Sequence, residues 1–310
     1  MNNIVFHIGY HKTGTSWLQK IYFPKHPNIH LISNSQKPWD DPFLSYLIGS
    51  PDRKFDYRHC RNLLRKQISN CACEENDVYL ISSERLSGHP FSGGYDNFRI
   101  AERLRMCVED AKILCVIRNQ IDMIRSVYKQ LISEGYTGDI TSFLHTKSWD
   151  TASFDLSFYE YDLLIKKYQN LFGTKNVYTV CYEKMVYDIG RFLSDICQFI
   201  NIPNFQISDE LLKKMINKKS GLSKVLKFTR FLNYFTKTEL NPFPLIPLFT
   251  INNYKLRSRI IYWSGKFLKQ NDILDIEIID EIKKCYKKSN LKLKEIDNFD
   301  LGCFFENYIA

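Results

Sequence analysis

The chain has no apolar run of about 18 residues, the least that spans a bilayer as a helix, so a helical membrane-spanning protein is excluded. Its opening, Met1-Asn-Asn-Ile-Val-Phe-His-Ile-Gly9, lacks the basic stretch, apolar stretch and small-residue cleavage site of a secretory leader. Glycine and proline are sparse, at 13 and 10 residues, and follow no period, which excludes collagen-like repeats and disordered low-complexity chains. Nine cysteines are present, yet none form a Cys-x-x-Cys pair, and Cys71 and Cys73 are the one close couple, so a zinc knuckle is excluded. The odd number and irregular spacing speak against a disulfide framework. Cys107, Cys115, Cys181 and Cys197 lie in apolar stretches and read as small core residues. The expected compartment is a reducing cytoplasm. There is no internal repeat.

What is present is the composition of a globular protein: 310 residues, 44% hydrophobic and 25% charged, long enough to bury a core without disulfides or metal. Lysine and arginine number 43 against 34 acidic residues, a net charge of +9. Such a surface attracts anions, whether nucleic acid, anionic lipid or a phosphorylated small molecule, and charge alone does not choose among them. The cations gather late, from Lys213 to Lys237 and from Lys283 to Lys294.

Short apolar runs alternate with helical periodicity over the first two thirds. Strands are expected at Ile4–Gly9, Asp77–Ser83, Ala111–Ile117 and Asn176–Tyr182. Helices are expected at Thr15–Phe23, Phe98–Glu109, Ile121–Ser133, Leu156–Phe172 and Met185–Ile200. Alternation of this kind implies a three-layer α/β/α domain around a central parallel sheet. We place the core at residues 1–205 and a mainly helical region, packed on that core, at 206–310. His26 and His30 are expected in a surface loop.

The segment Gly9-Tyr10-His11-Lys12-Thr13-Gly14-Thr15-Ser16 nearly fits the P-loop pattern Gly-x-x-x-x-Gly-Lys-Ser/Thr between the first strand and the first helix. The lysine that should follow the second glycine is replaced by Thr15, and a lysine stands earlier, at Lys12. Backbone N–H groups at a strand–helix turn still offer an anion site. The displaced cation suits a donor with one 5′-phosphate and a second charged group beside it. A second constellation follows the third strand: Arg118 at its end and Ser126 about two turns into the next helix, eight residues on. A guanidinium there presents a planar fork to phosphate oxygens.

Tyr10-His-Lys-Thr-Gly-Thr-Ser-Trp-Leu18 resembles the 5′-phosphosulfate loop of sulfotransferases that use 3′-phosphoadenosine 5′-phosphosulfate (PAPS), of the form Lys-x-Gly-Thr-Ser/Thr-x-Leu. Arg118-Asn-Gln-Ile-Asp-Met-Ile-Arg-Ser126-Val-Tyr128 is similar to that family's 3′-phosphate motif, with Gln120 where proline is usual. Tyr182-Glu183-Lys-Met185 resembles a further segment, taken as a marker of fold and not of chemistry. Lys218-Lys-Ser-Gly221 is a candidate counterpart of a C-terminal element that also holds the 3′-phosphate. The resemblance covers residues 1–205. It implies a PAPS-dependent sulfotransferase, with PAPS as co-substrate, no metal, and Lys12, Thr13, Gly14, Thr15, Ser16, Arg118 and Ser126 as its binding residues.

Within that reading Lys12 is catalytic, stabilising the leaving phosphate. A base must take the acceptor's proton. Glu84, directly after the strand ending at Ser83, is the leading candidate and His89 the rival; His11, next to Lys12, is a candidate substrate contact. The expected acceptor is a glycan, a glycan precursor or another sugar-containing small molecule. No nucleic acid is expected, and the basic, aromatic-rich last third leaves room for peripheral membrane contact. The competing reading is a P-loop nucleotide kinase or a non-catalytic nucleotide-binding protein, against which Thr15 stands.

Overall fold

Consecutive apolar residues such as Ile4-Val-Phe6 and Ile113-Leu-Cys-Val-Ile117 can bury every side chain only in strands covered on both faces. The computed structural model describes residues 3–33, 38–69, 71, 74, 77–147, 152–208, 211–212, 222–249, 254–264, 274–300, 304 and 308. Strands β1 (Ile4–His7), β2 (Ile29–Ser33), β3 (Val78–Ser82), β4 (Lys112–Ile117), β5 (Val177–Cys181) and β6 (Phe299–Asp300) form one sheet in the order β2-β3-β1-β4-β5-β6. Every pairing is parallel. The helices are α1 (Thr15–Trp17), α2 (Pro42–Gly49), α3 (Tyr57–Ile68), α4 (Asn97–Cys107), α5 (Gln120–Glu134) and α6 (Ile140–His145). They continue with α7 (Tyr161–Phe172), α8 (Tyr182–Tyr187), α9 (Ile189–Ile200), α10 (Leu222–Asn233), α11 (Tyr254–Ser264) and α12 (Ile276–Leu293).

Side chains that alternate along a strand point to opposite faces, and the core divides accordingly. Phe6, Ile113, Cys115 and Ile117 pack in one cluster with Leu44, Leu104, Ile124 and Leu164 of α2, α4, α5 and α7. Val5, Leu114, Val116 and Val180 pack in a second with Leu18, Tyr22, Phe192 and Ile196, which lie in the helical run after the glycine loop and in α9. Three layers result, as the alternation implies.

The four expected strands are all present, and two edge strands join them. β2 carries His30, whose Nε2 lies 2.7 Å from Asp77 Oδ2. His26 is buried, with Nε2 3.1 Å from the Pro203 carbonyl. The surface-loop expectation for both histidines is therefore corrected: the short run Ile29-His-Leu-Ile-Ser33 lacks clean alternation, so its strand character is hidden. Helix boundaries also differ. The run after the loop is α-helical only over Thr15–Trp17 and widens to a π-turn at Leu18–Tyr22. The expected helix Met185–Ile200 is two helices, because Asp188 breaks it and caps the second by accepting from Arg191 N–H at 2.9 Å.

Beyond residue 205, α10 lies against α5, where Asn233 Nδ2 donates to the Ile132 and Tyr136 carbonyls at 2.8 Å each. α12 lies against α7, where Tyr286 Oη donates to the Leu156 carbonyl at 2.7 Å. This region also supplies β6, a strand too short to read from sequence. Among the described residues no helix is long and apolar enough to cross a membrane.

Candidate active site

In an open parallel sheet the crevice lies beyond the carboxyl ends of the strands, where neighbouring connections diverge. Here β1 is flanked by β3 and β4. The loops leaving these three strands carry Lys12, Glu84 and Arg118, so the topology gathers the sequence-derived site residues at one edge.

The loop after β1 turns sharply. Lys12 and Gly14 both have positive φ, at 65° and 81°. At Gly14 this conformation favours glycine, and a Cβ would also come within 2.8 Å of Met185 Sδ. Gly9 is needed for space instead: a Cβ there would lie 3.0 Å from His7 Nε2 and 3.1 Å from the Thr13 and Thr15 hydroxyls. Thr13 is fully buried and its hydroxyl donates to the Tyr10 carbonyl at 2.5 Å, so its side chain shapes the loop. Thr13 and Thr15 Oγ1 are 3.2 Å apart. Lys12 and Ser16 are exposed. Behind the loop, His7 Nδ1 is 2.7 Å from Ser82 Oγ, and Gln19 Nε2 donates to Ser82 Oγ and its carbonyl at 3.0 Å each. These contacts tie β1, β3 and the helical run together beneath the anion loop. Burial pushes the His7 imidazole down to about 3, which keeps it neutral.

Glu84 starts a single 3-10 turn, Glu84–Ser87, directly after β3. Its carboxyl is pushed up to about 7 by burial, against the lowering influence of Lys12 and of a hydrogen bond with the Thr15 side chain. His11 Nε2 is 3.8 Å from Glu84 Oε2, and the His11 and His89 rings meet edge-on with centroids 5.3 Å apart. Burial, with help from His89, Lys12 and Arg85, pushes His11 down to about 3. Burial lowers His89 as well, and its Nδ1 accepts from Phe91 N–H at 3.3 Å. Glu84 and His89, the two candidates for the base, thus form one cluster with His11 beside Lys12.

Arg118 follows β4. Its Nη1 donates to Ser126 Oγ and to the Lys12 carbonyl, both at 3.1 Å. The eight-residue spacing therefore brings Arg118 and Ser126 into contact, and the arginine bridges to the loop. The guanidinium lies over the Tyr182 ring at 4.9 Å. Its Nε is buried with no hydrogen-bond partner among the described residues.

Sequence reasoning undervalued Tyr182-Glu-Lys-Met185. Tyr182 supports Arg118, Met185 packs beside Gly14, and Glu183 Oε1 accepts from Asn119 N–H at 2.9 Å. The segment touches both halves of the site. Its signal was its position directly after a central strand. Lys218-Lys-Ser-Gly221 lies outside the described residues. Among the described residues, no three His, Cys, Asp or Glu side chains group as metal ligands would.

A family model described as the sulfotransferase family matches residues 5–206. Among solved structures, the chain is similar to a sulfotransferase from Alicyclobacillus acidocaldarius, at 19% identity over 73% of this chain and 95% of that one, with a TM-score of 0.48. It is similar to the sulfotransferase domain of the curacin biosynthetic pathway, at 13% identity over 92% and 97% of the two chains, with a TM-score of 0.45. It is also similar to mouse sulfotransferase SULT7A1 complexed with PAP, at 17% identity over 99% and 89%, with a TM-score of 0.44. No curated protein matches it.

Proposed function

The chain belongs to the sulfotransferase family, and from that premise we propose that it moves the sulfuryl group of PAPS to a hydroxyl or amine of a glycan or glycan precursor. The observation that carries this reading is the contact between the two anion-binding elements, Arg118 Nη1 on the Lys12 carbonyl at 3.1 Å. That contact sets a fork for one phosphate beside a loop for another, as a 3′,5′-bisphosphorylated nucleoside requires. Residues 1–205 act as the donor-binding core and 206–310 as its mainly helical cover.

In the transfer, the acceptor oxygen or nitrogen bonds to sulfur while the bond from sulfur to the 5′-phosphate oxygen breaks. Lys12 and the loop formed by Thr13, Gly14, Thr15 and Ser16 neutralise charge on that departing phosphate. Arg118 and Ser126 hold the 3′-phosphate. Glu84, whose carboxyl titrates near neutrality, takes the acceptor's proton.

Arg118→Ala and Ser126→Ala should weaken adenosine 3′,5′-bisphosphate (PAP) more than adenosine 5′-phosphate, by roughly tenfold or more for the arginine, because charge-assisted contacts are the strong ones. Titration calorimetry with both nucleotides measures this; equal losses would mean that these residues do not meet the 3′-phosphate.

The acceptor reading rests on the last third. Residues 222–264 hold seven lysines and arginines against one glutamate. The loop Asn241-Pro-Phe-Pro-Leu-Ile-Pro-Leu248 exposes Phe243 at 91% and Leu245 at 74%. Ile246 and Leu248 of the same loop are exposed too, as are Phe231 and Tyr234 of the preceding segment. Exposed apolar side chains in a segment that also exposes Lys227, Lys237 and Arg259 suit peripheral contact with an anionic bilayer, where lipid-linked sugars are presented. An acceptor screen with labelled PAPS should find a sugar substrate that reacts faster on anionic vesicles than in solution. Equal rates in the two would remove the membrane contact, and transfer only to non-sugar acceptors would remove the glycan.

A further inference from the structure

Gln120 stands where the resembling motif has proline, and it is almost fully buried. A buried side-chain amide must find partners. Gln120 Nε2 donates to Asn290 Oδ1 at 2.6 Å and to the Tyr159 carbonyl at 3.3 Å. Asn290, on α12, returns a bond from Nδ2 to Gln120 Oε1 at 3.3 Å and gives another to the Tyr308 carbonyl at 2.6 Å. Tyr308 is buried too, and its hydroxyl donates to Glu183 Oε2 at 2.9 Å. Glu183 Oε1 accepts the Asn119 N–H, and Tyr161 Oη donates to the Arg118 carbonyl at 2.7 Å.

Three consecutive residues directly after β4, Arg118, Asn119 and Gln120, are thus each gripped from outside their own segment. Two of the grips come from residues more than 160 positions later or pass through Tyr308. From this chain of bonds we infer that Tyr308 and Asn290 are positioning residues for the 3′-phosphate fork, acting through Glu183 and Gln120 on the turn that carries Arg118. This rests on the donor reading proposed above.

The physical reasoning concerns preorganisation. A guanidinium that must meet a phosphate in one orientation loses affinity when its backbone can turn away. Glu183 can hold Asn119 N–H in place only while its second oxygen is itself fixed, and Tyr308 Oη fixes it. Tyr308 is in turn held through its carbonyl by Asn290. Buried polar networks of this kind specify a single arrangement when every member is partnered, and lose it when one is removed. Burial and the nearby Glu183 raise the Tyr308 hydroxyl well above its usual range, so it remains a donor at any working pH. Replacing proline by glutamine at 120 exchanges a rigid turn residue for a link to α12. The first helical position, where Gln120 sits, tolerates either residue.

The experiment is calorimetric titration of the full chain with PAP and, separately, with adenosine 5′-phosphate, for wild type, Tyr308→Phe and Asn290→Ala. Tyr308→Phe removes one hydroxyl and preserves packing, so it keeps the test meaningful where Asn290→Ala fails to fold. The expected result is a wild type that prefers PAP, and a Tyr308→Phe variant whose PAP affinity falls about tenfold while adenosine 5′-phosphate affinity stays within about twofold. Retained discrimination in Tyr308→Phe overturns the inference and leaves the donor reading standing. Equal losses for both nucleotides also overturn it, because they mean a general loosening of the fold. A wild type that does not prefer PAP overturns the donor reading, and the inference with it.

Discussion

Lys12→Ala is expected to lower turnover with PAPS by about 10²–10³-fold, the usual loss when a group that stabilises transition-state charge is removed. The fold should persist. Lys12 is exposed, and alanine bears the positive φ of 65° at that position about as well as lysine does, since both carry a Cβ. A second effect separates this account from simple damage to the loop. Lys12 holds the Glu84 carboxyl down against burial. Without the ammonium, Glu84 should titrate above its value of about 7, and the acid limb of the residual activity should move to higher pH. A pH–rate profile of both proteins under saturating donor and acceptor gives the two readouts together. An unshifted limb with undiminished turnover would remove Lys12 from the chemistry.

Glu84→Gln should reduce turnover by about 10²-fold or more while changing PAPS affinity little, because glutamine keeps the shape and loses only the basic oxygen. The wild-type rate should rise with pH through about 7 as the carboxylate forms, and the variant should lack that rise. Stability has the opposite dependence. Native Glu84 holds its proton up to about 7, whereas the unfolded side chain releases it near the ordinary glutamate value of 4.5. Between those values the native state binds more protons, so stability falls as pH increases. Glu84→Gln removes that penalty, and its melting temperature should exceed the wild type's at pH above 7 while differing little at pH near 4. A variant that keeps turnover within a few-fold would transfer the role of base to its neighbours, with His89→Ala as the variant to make next.

The Glu84 carboxyl is a weaker acid than an ordinary glutamate, a shift that like charge or desolvation could each produce at a strand end beside an anion site. The structure assigns it to desolvation, since Lys12 and Thr15 act to lower it. That distinction was out of reach of the sequence, because burial of a strand-end carboxylate depends on loops that close over it. The strand–loop–helix and the strand-end arginine were legible for a different reason. Gly9, Lys12, Gly14 and Arg118 with Ser126 are local patterns, fixed by backbone sterics and helical spacing. Elements defined by long-range partners were not legible. β6 is two residues long and exists through pairing with β5. The role of Gln120 belongs with them, because its partner Asn290 lies 170 positions further along the chain. The helices α2 and α3 lie in a stretch that sequence reasoning left unassigned, and their apolar residues make sense only as cover for one face of the sheet.

The central claim is that a loop with its lysine at position 12, paired with Arg118, selects a 3′-phosphorylated adenosine donor over a nucleoside triphosphate. Thermal unfolding of the full chain with PAP, and in parallel with ATP and Mg²⁺, tests it most directly, because ligands that bind the native state raise the melting temperature by mass action. The account predicts a concentration-dependent rise with PAP and little or none with ATP and Mg²⁺. Stabilisation by ATP and Mg²⁺ without stabilisation by PAP would contradict it.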